Sequence, residues 1–195
     1  PLRRQRQMCI RDKLGYESIS EAFEKIKEGQ KADFYKEMAV TDTMTGVYNR
    51  SAFEEWEYET SDYEGYSIAT FDLNNLKWCN DNLGHAAGDA YIQASARIIK
   101  EIFGRHGKCY RIGGDEFCTV INQKQKSFDI GRHVKQLREL EKYAEEEIGI
   151  KDLNVQIACG YAEYDIKTDK NFEDTRSRAD TVSYTHLTLP TKRIV

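Results

Sequence analysis

Three carboxylates and a pair of glycines have the types and spacing to do chemistry together. Asp72 lies at the end of the apolar run YSIATFDL (residues 66–73), and Asp115 and Glu116 follow Gly113 and Gly114 in the bend of YRIGGDEFCTV (residues 110–120). A hairpin bend asks only for positive φ at a position or two, which two glycines, or one glycine and one polar residue, would satisfy. The second carboxylate therefore needs another explanation. If the two runs are neighbouring strands, Asp72, Asp115 and Glu116 meet at one end of a sheet. Like charges that close are tolerable only with a cation or a raised pKa. Oxygen donors of this kind suit a hard divalent ion, Mg²⁺ or Mn²⁺, which commonly arrives with phosphates. Gly113 and Gly114, without side chains, would then let a bulky anionic ligand approach the backbone. The alternative is a solvated acidic hairpin tip.

The elements that must position these groups follow from periodicity. Residues 17–39 carry apolar positions at Ile19, Ala22, Phe23 and Ile26, then at Phe34, Tyr35 and Met38, with a break near Gly29. They are expected to be helical and to lead into a domain starting near Val40. A helix is expected from about Ser51, with Ser51 as its cap and Glu54 as the reciprocal partner. YSIATFDL reads as a buried strand. NNLKWCNDNLGHAAGD (residues 74–89) is polar, with helix-like spacing at its start, and DAYIQASARIIKEIFG (89–104) is a long amphipathic helix. KCYRI and FCTVI flank the acidic bend as a hairpin. IGRHVKQLRELEKYAEEEI (130–148) is a second long helix, NVQIACGYAEY (154–164) a strand, and FEDTRSRAD (172–180) the start of a last helix. This order predicts an α+β sheet with helices on its faces.

With these elements in place, three ordered motifs resemble the GGDEF domain of bacterial diguanylate cyclases: DTMTGVYNR (42–50), FDLNNLKWCNDNLGHAAGD (71–89) and RIGGDEF (111–117). One five-letter match would be weak evidence, but three in register are strong. The resemblance covers residues 40–181. It implies a palm-like, ferredoxin-related antiparallel sheet and the condensation of two GTP into cyclic di-GMP with release of two pyrophosphates, each domain of a homodimer holding one GTP. It further implies Asp72, Asp115, Glu116 and the Leu73 backbone carbonyl as metal ligands, with Mg²⁺ or Mn²⁺ as cofactor. Asp115 is implied as the base toward the ribose 3′-hydroxyl, with Glu116 and Lys77 beside the reacting phosphates. Asn80, His85 and Asp89 are implied as substrate contacts, Gly113 and Gly114 as the bend over the nucleotide, and Arg111 as a second phosphate contact. An amide and a carboxylate can read guanine over adenine, because the wrong base leaves polar groups unpaired.

Each of these positions has a simpler reading: Asn80 as a turn residue, Asp89 as a helix N-cap, His85 as a hydrogen-bonded loop residue, Lys77 as a solvated side chain. Asp42, Thr45, Gly46, Asn49 and Arg50 resemble the family's entry turn, a structural feature in which Asp42 could pair with Arg50. Many family members carry an inhibitory product site, RxxD; here that window, residues 104–107, reads GRHG. Asn74 stands where an acidic residue is common, which leaves the metal carboxylate itself in place.

The two ends call for separate treatment. Residues 3–12 (RRQRQMCIRD) and 182–191 (VSYTHLTLPT) can be encoded by one DNA string and its reverse complement, a string that resembles a sequencing-library adapter. Residues 1–12 and 182–195 are therefore expected to be read-through, residues 13–39 a helical linker from an upstream sensor or regulatory region, and residues 40–181 a domain whose last helix and strand are truncated. On that expectation the family's C-terminal lysine and arginine are missing, activity of the chain itself is weak, and a sheet edge is exposed. The ends carry net charges of +3 and +2, so the interior is −9 where the whole chain is −4. An acidic interior with no basic block argues against nucleic acid or an anionic membrane as partner. Cys79, Cys109, Cys118 and Cys159 form no CxxC pair, which with the absence of any membrane-length apolar run fits a reduced, cytoplasmic chain.

Overall fold

The computed structural model describes residues 24, 26–29, 31, 35–123, 128–150, 153 and 155–181. The chain divides into two compact units, one up to Ala39 and one from Val40. In the first, residues 24, 26–29, 31 and 35–39 are helical, including Gly29, where the sequence predicts a break. Ile26, Tyr35 and Met38 are exposed there. Ile19, Ala22, Phe23, Phe34 and the two terminal stretches read as adapter lie outside the described residues.

The second unit runs α1 (Arg50–Glu59), β1 (Tyr66–Leu73), α2 (Leu76–Leu83), α3 (His85–Phe103), β2 (Gly107–Arg111), β3 (Glu116–Asn122), α4 (Ile130–Ile148), β4 (Ile157–Glu163) and α5 (Phe172–Thr181). The four strands form one sheet in the order β2-β3-β1-β4, antiparallel at every pairing. Each helical crossover thus skips one strand, the split arrangement of ferredoxin-related α+β folds. The predicted hairpin, first strand and last strand are all present.

Alternation along the strands sorts the core into two layers. Ala69, Phe71 and Leu73, with Phe117, Ile121 and Cys159, pack with Tyr91, Ile99 and Phe103 of α3 and Leu137 of α4. Ile68, Cys118, Val120 and Ala162 face the other way, onto Phe53 of α1 and Phe172 and Ala179 of α5. Asp72 and Glu116 share the parity of Ile68 and Cys118, and both line the cleft that α1 and α5 also wall.

Local chemistry sets the element boundaries. α1 is capped by Asn49, whose side chain accepts from the Ala52 N–H at 3.0 Å. The expected Ser51 cap is two residues too late, because Arg50 is already helical. α3 starts at His85, four residues before the periodic apolar run, since Gly84 at φ 89° breaks the chain sharply between α2 and α3. The loop before α5 is held by Asp169, which accepts from the Arg178 Nε at 2.8 Å and the Thr175 hydroxyl at 2.8 Å. Burial alone would raise its pKa, but Arg178, the Asp165 N–H and the two threonines lower it on balance.

Both flanks of the sheet are occupied. Beside β2, Tyr48 donates to Cys109 O at 3.0 Å and accepts from the Arg111 N–H at 2.8 Å. Beside β4, Glu145 accepts from the Val155 N–H and Glu141 from the Ile157 N–H, each at 2.7 Å, while Arg138 donates to Ile157 O at 2.9 Å. The expected bare edge is therefore closed at these positions by side chains of α4.

Candidate active site

Strand pairing brings the acidic residues together. Asp72 and Glu116 are register partners across β1 and β3, and the Leu73 N–H donates to the Asp115 carbonyl at 3.1 Å. Asp72 titrates above the ordinary carboxylate value, first because burial penalises its charge, then because Asp115, Glu116 and Asp180 repel it. The bend itself does not use the conformational freedom of its glycines: neither Gly113 nor Gly114 has positive φ. What matters is space. A Cβ on Gly113 would lie 2.6 Å from Glu116 Oε2, so its hydrogen is what lets that carboxylate fold over the bend, and nothing stands within 4 Å of where a Gly114 Cβ would be.

Arg111 is committed elsewhere. Its Nη2 donates to Gly114 O at 2.7 Å and its Nη1 to Asp42 Oδ1 at 3.3 Å, so it ties the bend to the entry turn. The expected Asp42 to Arg50 pair does not form; Arg50 instead bonds Glu54 at 2.8 Å. Asp42 also accepts from the backbone and hydroxyl of Thr45, at 3.0 and 2.6 Å. Burial would raise its pKa, but these contacts and Arg111 lower it overall.

On the helical side, Asn75 in the left-handed region (φ 62°) turns the chain from β1 into α2. Lys77 is exposed in the first turn of α2. Asn80, half-buried, presses on α3 where it has no side chain: a Cβ on Gly88 would fall 1.9 Å from Asn80 Oδ1. Asp89 is the next residue, exposed in the second turn of α3, which excludes the N-cap reading. His85 is exposed as the first residue of α3. Asn80 thus packs against α3 at Gly88, the residue before Asp89, and the β1–α2 turn links α2 to the strand that carries Asp72.

A cleft of about 750 Å³ opens from Asp72, Asn74 and Glu116 along the face bounded by α1 and α5, reaching Arg50, Arg176 and Asp180. Asp180 is a contributor that spacing did not reveal, since it acts on Asp72 from a position distant in sequence. Among the described residues the four cysteines are buried, which pushes Cys109 up to about 11 and Cys159 up to about 12, away from the thiolate form. Among the described residues no three His, Cys, Asp or Glu side chains are grouped closely enough to hold a metal by themselves. Asp72 and Glu116, paired across β1 and β3, offer the one or two carboxylates that Mg²⁺ or Mn²⁺ would take, such ions completing their shell with water and substrate phosphates. The residues present fit that role.

The model of the diguanylate cyclase GGDEF domain matches residues 39–189. The chain belongs to the GGDEF family. Among curated relatives, it is 33% identical over 116 residues to the diguanylate cyclase VdcA of Vibrio cholerae, covering 58% of this chain and 32% of that protein. It is 36% identical over 96 residues to the diguanylate cyclase DgcN of Escherichia coli K12, covering 47% and 24%. It is also 42% identical over 81 residues to the cyclic di-GMP phosphodiesterase PdeB of Shewanella oneidensis, covering 41% and 10%. The chain thus spans a third or less of the length of these relatives. In fold it resembles the coiled coil and GGDEF domain of DgcB from Caulobacter crescentus, with TM-score 0.66, 21% identity and coverage of 86% of this chain and 91% of that one. The diguanylate cyclase SiaD of Pseudomonas aeruginosa, solved with its activator SiaC, gives TM-score 0.64 at 24% identity, covering 93% and 70%.

Proposed function

We propose that this GGDEF domain is the catalytic unit of a diguanylate cyclase, condensing two GTP into cyclic di-GMP and two pyrophosphates. The observation that carries the reading is the pairing of Asp72 with Glu116 across adjacent strands, beside the acidic bend and open to a cleft. The relatives include both cyclases and phosphodiesterases, so the likeness alone does not assign the activity; the intact acidic set supports the cyclase reading. Degenerate domains of the family generally lose a metal carboxylate, and this one keeps Asp72, Asp115 and Glu116.

In this reading Asp72, Glu116 and the Leu73 carbonyl hold Mg²⁺ or Mn²⁺, which when bound offsets phosphate charge and acidifies a hydroxyl. Asp115 receives the proton of the attacking ribose 3′-hydroxyl. Lys77, exposed at the start of α2, reaches toward the phosphates and offsets charge built up in the transition state. Asn80, packed against α3 at Gly88, and Asp89, the next residue, take the guanine edge, with Asp89 accepting from N1–H and N2–H₂ and His85 flanking them. Arg111 holds the bend in place through Gly114 O and Asp42, beside its expected place as a second phosphate contact. Because each domain offers one half of the reaction, two copies must face each other to align the hydroxyl with the opposite α-phosphate. An upstream sensor that controls this encounter is part of the same proposal.

Incubated with GTP and Mg²⁺, the protein is expected to yield cyclic di-GMP, read by mass spectrometry, and Asp115→Ala is expected to abolish it. GTP binding without product would instead favour a catalytically silent signalling module. Product formation by Asp115→Ala would remove Asp115 from its role.

A further inference from the structure

Tyr91 is fully buried on α3, yet its hydroxyl is not spent on its own helix. It accepts from the Gln156 N–H at 2.8 Å and lies 2.9 Å from Asn74 O and 2.8 Å from Gln156 O, to either of which it can donate. The Asn74 N–H in turn donates to Gln156 O at 2.9 Å. The regular pairing of β1 with β4 ends at Leu73 and Ile157, so these backbone groups lie just past the last ladder rung. One phenol closes their hydrogen bonding from a neighbouring helix.

The place of that bond matters. Asn74 directly follows Leu73 and directly precedes Asn75, the left-handed residue that launches α2 with Lys77 and Asn80. Tyr91 stands two residues after Asp89 on α3. A single hydroxyl therefore connects the helix that carries Asp89 to the turn that carries the Leu73 carbonyl. A buried phenol with two backbone partners is also costly to leave unmade, which holds the turn in one position.

We propose that Tyr91 is a positioning residue: its hydroxyl sets the β1–α2 turn relative to α3, so that the Leu73 carbonyl on the turn and Asp89 on α3 engage the metal and the base of one nucleotide together. This rests on the GTP reading above. Tyr91 touches neither substrate nor ion and acts through the backbone of Asn74.

The test compares Tyr91→Phe with Tyr161→Phe. Tyr161 is also a largely buried phenol, but its hydroxyl bonds Glu163 and Gln123 at the other end of the sheet. Mn²⁺ binding in the presence of GTP is read by electron paramagnetic resonance, and melting temperature is read in parallel. Tyr91→Phe is expected to weaken Mn²⁺–GTP binding about tenfold or more, the order seen when the support of a ligating group is removed, while Tyr161→Phe binds as wild type whatever its melting temperature. Equal binding by wild type and Tyr91→Phe overturns the proposal, as does an equal loss in both variants, which would mark general destabilisation. If the wild-type chain binds no Mn²⁺–GTP, the nucleotide reading itself falls, an outcome distinct from the other two.

Discussion

Asp72 is under two opposed demands. The proposed divalent ion requires its charge, yet that charge is penalised by burial and by Asp115, Glu116 and Asp180. A carboxylate whose folded pKa is raised contributes stability below its unfolded value and loses it as pH rises through the folded value. Asp72→Asn is therefore expected to raise the melting temperature at neutral pH without divalent ions, by ~1–3 °C after discounting for the solvent exposure of the group. The gain should disappear in acid, where wild-type Asp72 is protonated too. Calorimetry across pH checks this, and a lower melting temperature for the variant at pH 7 would contradict it. The identity of the acidic residues was legible in sequence. The reason for Gly113 was not, because a strand–bend–strand pattern suggests turn freedom, whereas here the glycine makes room for the Glu116 side chain.

Between elements, the decisive contact is α2 against α3. Gly88 lets Asn80 lie against the helix that presents Asp89, and an added methyl would occupy the position of the Asn80 amide. Alanine also favours a helix interior by roughly 1 kcal/mol over glycine. Gly88→Ala is thus expected to leave stability near wild type while raising KM for GTP severalfold, since the displaced amide is the end of a side chain that can swing away. Steady-state kinetics with a parallel urea titration would show it; an unchanged KM would mean Asn80 does not read the base. The long amphipathic spacing of α3 and α4 and the strand alternation of β1 and β3 were readable from periodicity. Helix starts were not: Asn49 in place of Ser51 and His85 in place of Asp89 depend on cap geometry and on the positive φ of Gly84, which residue type alone leaves undecided. The Asp42–Arg111 pair joins residues 69 positions apart, a separation at which spacing carries no signal.

For the molecule as a whole, regulation by product is the property most exposed to test. Where the family's RxxD would stand, Gly104 and Gly107 sit against backbone: a Cβ would fall 2.4 Å from Lys100 O at the first and 1.9 Å from Val120 O at the second. Neither position has room for the arginine or aspartate of that motif without a shift of main chain. Cyclic di-GMP is accordingly expected to leave the initial rate unchanged through this face, and submicromolar inhibition that Arg105→Ala removes would refute the expectation. The closed flanks of the sheet bear on how two copies could meet. Tyr48 already lies along β2, and Glu141 and Arg138 hold Ile157, the first rung of β4. A second copy that added strand to strand at either of these places would first have to displace those contacts.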